Sequence, residues 1–147
     1  MIEQDTIRLL RECDAGIKMG VTSIEEIINY AQNEMLKKCL ETSMAEHKKM
    51  QKEIQEMLSA CHDDGKNPPI MARGMSWLKT NAKLIMNQSD AVISDLITDG
   101  CNMGAKSLYK YLSQYKAASE VAKNIAKRLI SLEEKLAADM RIYSAEK

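Results

Sequence analysis

The chain has 147 residues, enough for one domain with a substantial core. Lys+Arg and Asp+Glu number 21 each, so the formal net charge is zero. That balance argues against nucleic acid or an anionic membrane surface as the main partner, because both select for a basic excess.

No apolar run approaches the roughly 18 residues of a membrane span. The N-terminus, MIEQDTIRLL, lacks the basic-then-apolar order of a secretory signal. A cytoplasmic protein is therefore expected. Cys13, Cys39, Cys61 and Cys101 form no C-x-x-C pair, and each falls where a helix would place a small apolar residue. They read as reduced thiols acting as small hydrophobes. Eleven Met and no Phe suggest a core filled by adaptable side chains.

Helical signals dominate from the start. Over 5–30, Ile7, Leu10, Ile17, Val21, Ile24 and Ile28 recur at steps of three and four, the stripe of an amphipathic helix. Gly16 and Gly20 lie inside it at a cost of roughly 1 kcal/mol each relative to Ala, which points to close approach of another backbone. A second helix is expected over 33–62. Its seam is Leu36, Leu40, Ser43, His47, Met50, Ile54, Met57 and Cys61, and Gly65 is the expected stop.

Residues 69–86, PIMARGMSWLKTNAKLIM, predict a shorter amphipathic helix carrying Trp77, Met71, Met75 and Met86. Packing over one side of the bundle is its plainest role. Partial exposure would instead make it the interface of a homo-oligomer, a dimer. Ser89 is the expected N-cap of a helix over 90–115, with Ile97, Cys101, Gly104, Leu108, Tyr111 and Tyr115 on its seam. Ser119 is expected to cap the last helix, over 119–143, whose inner face is Ala122, Ile125, Leu129, Leu132, Leu136 and Met140. One domain, 1–147, follows.

The first and third long helices echo each other. Residues 16–24 read GIKMGVTSI and residues 100–108 read GCNMGAKSL, both fitting G-x-x-M-G-x-x-S-[IL]. Equivalent placement favours an old duplication of a helical hairpin.

Two hairpins joined by a long connection between helices two and three, with Cys13-Asp14-Ala15-Gly16 early in the first helix, resemble the ferritin-like bundles, specifically small bacterial members of unknown function. The resemblance implies an all-α, ferritin-like four-helix bundle with an extra short helix in the crossover. It also implies a place to look for iron. A di-iron bundle uses Glu-x-x-His on two helices, because i and i+3 share a face. Here His47 is preceded at that step by Met44, and the matching pair in the fourth helix is Leu132 and Lys135. No glutamate stands among Gly16, Gly20, Gly100 and Gly104, and the chain has only two histidines.

Three polar residues remain: His47 near the middle of its helix's apolar face, and Asp14 and Glu133 on the flanks of theirs. A buried imidazole needs a hydrogen-bond partner, and counting from the intervening turn makes Asp14 the nearest candidate, with Glu133 reaching solvent. A one-imidazole metal site for iron or another divalent cation would be short of ligands. The expected function is a non-enzymatic binding or structural bundle without cofactor. The alternative is a metal-binding oxidoreductase or iron-handling protein with a reduced ligand set.

Overall fold

The computed structural model describes residues 2–68 and 90–144. Four long helices make up this part: α1 (Ile2–Ile27), α2 (Glu34–Ala60), α3 (Asp90–Gln114) and α4 (Glu120–Ser144). The bundle is all-α, with α1 packed on α2 and α3 packed on α4 as two hairpins. The expected short helix at 69–86, with its dimer surface, and the Ser89 cap lie outside the described residues. No helix among the described residues is long and apolar enough to cross a membrane.

The ends of the helices follow from local chemistry. The stripe of α1 runs out at Ile27, and a single 3-10 turn, Ile28–Tyr30, leads into extended backbone at Ala31. Asn33 then caps α2, its side-chain oxygen accepting from Met35 N at 2.8 Å and Leu36 N at 3.2 Å. Ser119 caps α4 in the same way, accepting from Ala122 N at 3.2 Å. The stop of α2 differs from expectation. The helix ends at Ala60, and His62 takes a positive φ of 59° before Gly65 does so at 92°. Gly65 turns the loop back over α1 rather than ending the helix.

Contacts at the helix ends set the topology. Asp5 and Thr6 at the start of α1 accept from the amides of Ala117 and Ser119 in the α3–α4 turn. Asp90 at the start of α3 accepts from the amides of Gln32 and Asn33, just before α2. So α1 and α3 run antiparallel, while α2 and α3 run parallel.

The core divides into two apolar halves. One is built on Leu10, Ile17, Ile54, Leu108 and Leu129, the other on Ile24, Leu40, Ile93, Ile97 and Leu136. Between them stand Gly20 of α1, His47 of α2, Gly104 of α3 and Glu133 of α4, in contact across the bundle.

Candidate functional site

His47 comes from the middle of the α2 seam, where its four-three spacing with Leu40, Ser43 and Met50 points it inward. It is 1% exposed, so both ring nitrogens must find partners inside the protein. Nδ1 lies 2.7 Å from the carbonyl oxygen of Ser43, one turn back, with Ser43 Oγ at 3.3 Å. A carbonyl only accepts, so Nδ1 carries a proton. Nε2 lies 2.8 Å from Glu133 Oε1 on α4. Burial works against the imidazolium, but the hydrogen bond and charge of Glu133, the Ser43 carbonyl and the charge of Glu46 outweigh it. The pKa of His47 is held above the ordinary imidazole value. Nε2–H therefore donates to the carboxylate, and the pair is an ionic hydrogen bond joining the two hairpins.

The glycines make room for this pair. A Cβ on Gly20 would stand 2.8 Å from His47 Cδ2, and one on Gly104 would stand 2.9 Å from Glu133 Oε2. These are the second glycines of the two G-x-x-M-G-x-x-S stretches. The repeat thus places one glycine from each hairpin against the polar residue of that hairpin's other helix.

The fixed positions of the repeat share one surface. Gly16, Met19, Gly20 and Ser23 of α1, with Gly100, Met103, Gly104 and Ser107 of α3, line a groove of about 270 Å³ between those helices. His47 and Glu133 line it too, at its middle. Ile24, Leu96, Ile97 and Leu136 make one end apolar, and Glu12, Lys66, Pro68 and Tyr111 lie at the other. Among the described residues a Cβ at Gly100 would meet no atom within 4 Å, so they leave the wall there open.

Asp14 lies elsewhere, which corrects the expected Asp14–His47 bond. It is fully buried, and its Oδ2 accepts from Lys18 Nζ at 2.7 Å and from the amide of Lys66 at 2.9 Å. It precedes Gly20, the residue level with His47, by six positions, about 9 Å along the helix. Glu133, expected to reach solvent, is 8% exposed and is the true partner of the imidazole. The loop that covers Asp14 is held by Arg11–Asp63 at 3.0 Å and Lys66–Glu12 at 2.8 Å.

The arrangement bears on metal chemistry through its donors. Both nitrogens of His47 are engaged within the protein, and Asp14 is committed to a different cluster. Among the described residues no group of three or more His, Cys, Asp or Glu is placed to hold a metal ion. These residues do not fit a di-iron centre. Nor are the buried thiols nucleophiles. Desolvation, with the charges of Glu12 and Asp14 beside it, pushes Cys13 up to about 12. Desolvation and the Glu133 charge raise Cys101 as well.

No protein-family model, curated protein or solved structure matches the chain.

Proposed function

We propose that the protein is a ferritin-like bundle that works by binding rather than catalysis, with the α1/α3 groove as its binding face. One observation carries this reading. Every fixed position of the two repeated G-x-x-M-G-x-x-S-[IL] stretches lines the same groove, over a buried ionic pair. Glycine inside a helix is costly, and a bundle needing only to fold would gain by replacing Gly16 and Gly100, neither of which is crowded. The ferritin-like part of the reading is supported by parallel α2 and α3, which demand a long crossover between two hairpins.

The test has two arms. Metal analysis of protein purified without chelators should find no stoichiometric iron, manganese or zinc. Bound metal that disappears on His47→Ala would reverse the reading in favour of an iron-handling bundle. In the second arm, small apolar compounds are screened by thermal shift against the wild type and Gly100→Leu. Compounds that stabilise only the open-walled protein are expected.

A further inference from the structure

We propose that the groove takes a compact apolar amine, with Glu133 accepting a charge-assisted hydrogen bond from its ammonium group. This rests on the reading of the groove as the binding face, and it names the ligand class. Size comes first. An apolar cavity of about 150 Å³ holds one benzene, so a groove of about 270 Å³ admits a frame of roughly eleven heavy atoms. Ile24, Leu96, Ile97 and Leu136 supply an apolar bed for such a frame, and Met19 and Met103 can adapt to its outline.

The charges then select the head group. Glu133 lines the groove and is buried, and its Oε1 is taken by His47. Among the described residues, no donor is bonded to Oε2. An ionised carboxylate has about four acceptor positions, so acceptor capacity remains here. The cations on the groove are already held. His47 spends both N–H groups on Ser43 and Glu133, and Lys66 is 2.8 Å from Glu12. An anionic ligand would find the hydroxyls of Ser23 and Ser107 but no uncommitted cation, whereas a ligand carrying N–H groups meets a desolvated, charged acceptor. Charge-assisted hydrogen bonds are about twice as strong as neutral ones, which separates an amine from an alcohol of the same shape.

The experiment is calorimetric titration at neutral pH with 1-aminoadamantane, 1-adamantanol and adamantane-1-carboxylate, which share one rigid frame. Wild type, Glu133→Gln and Gly100→Leu are compared. The amine should bind about tenfold or more tightly than the alcohol, and the carboxylate should bind least. Glu133→Gln should bring the amine to the level of the alcohol. Gly100→Leu fills the groove from a wall where no atom is met, so it should abolish binding without lowering the melting temperature. Equal affinity for amine and alcohol in the wild type would overturn the amine assignment and leave the binding face standing. Binding of none of the three overturns both. A clear drop in melting temperature for Gly100→Leu does so as well, since it would mean that the wall is already covered by protein.

Discussion

Gly20 on α1 stands to His47 as Gly104 on α3 stands to Glu133: in each case a Cβ would fall less than 3 Å from the polar side chain. The repeat's first glycines differ, since a Cβ on Gly16 would make an ordinary 3.9 Å contact with Leu129 and one on Gly100 would meet nothing. Alanine should therefore act with opposite sign along one motif. Gly16→Ala and Gly100→Ala are expected to stabilise by about 0.5–1 kcal/mol, through helix propensity and a less flexible unfolded chain. Gly20→Ala should cost about 1–3 kcal/mol, because the imidazole it strikes is held at both nitrogens. Gly104→Ala should cost less, since a carboxylate tip can swing aside. Urea unfolding of the four variants checks the order.

The His47–Glu133 bond should show strong coupling. Removing one member leaves the other buried and unpaired, a loss of about 3–5 kcal/mol. Replacing both by leucine leaves no orphan and should cost clearly less than the sum of the single changes. A double-mutant cycle of His47→Leu and Glu133→Leu measures this. Additive losses would mean that the two side chains are not bonded in solution.

Much of this was legible in the sequence, and the reasons for the rest are physical. Periodicity of 3.6 places Leu36, Leu40, His47 and Ile54 on one face whatever that face meets, so inner faces and capping residues such as Ser119 can be read locally. The repeat announces its glycines, but the close backbone approach expected at Gly16 and Gly20 is absent from the nearest contacts: Gly20 faces the His47 side chain and Gly16 makes an ordinary contact with Leu129. Partner choice is different. His47 and Glu133 are 86 positions apart, and their meeting depends on how one hairpin sits against the other. The expected Asp14–His47 bond fails because the partner of Asp14, the amide of Lys66, arrives through a left-handed backbone turn at Gly65. No helical period carries that signal.

The pH dependence has a definite sign. The folded-state pKa of His47 is raised, so its stabilising contribution is fully present below the unfolded imidazole value of about 6.5 and is lost as pH rises through the folded value. The difference in melting temperature between wild type and His47→Gln should therefore shrink from pH 6 upward into the alkaline range. α1 offers Gly20 to this pair and α3 offers Gly104 and the Cys101 thiol, which stays protonated over this range, while the facing charges are Glu133 from α4 and Glu46 on its own helix. A difference that grows with pH would contradict the ionic bond.

The thiols should fall into two classes. Cys13 and Cys101 are buried with raised pKa values, so few thiolates form and none is reached by reagent. Cys39 and Cys61 are only half-buried. Maleimide labelling followed by mass spectrometry should modify Cys39 and Cys61 in the native protein, and all four in denaturant. Cys39 is slowed by partial burial and by Asp139, which hold its thiol above the ordinary range. Rapid native labelling of Cys101 would show that the core beside Glu133 opens.

The Asp14 cluster should behave as an independent unit. Its Oδ2 accepts from Lys18 and from the Lys66 amide, while Oδ1 is buried without a hydrogen-bond partner. Asp14→Leu would leave an amide and an ammonium without their acceptor, costing about 1–3 kcal/mol. It should also free the loop that Lys66 closes, so amide exchange should quicken at Gly65 and Lys66 before it does so in α2. Gly65→Ala reaches the same outcome by another route. Its φ of 92° disfavours any Cβ, and an added one would run into the Asp14 carboxylate. Because Asp14 and His47 belong to separate clusters with no shared partner, their losses should add. Asp14→Leu combined with His47→Leu is expected to equal the sum of the single changes within about 0.3–0.5 kcal/mol. Coupling beyond that range would place the two residues in one network, and the register of α1 against α2 would then be displaced by more than a turn.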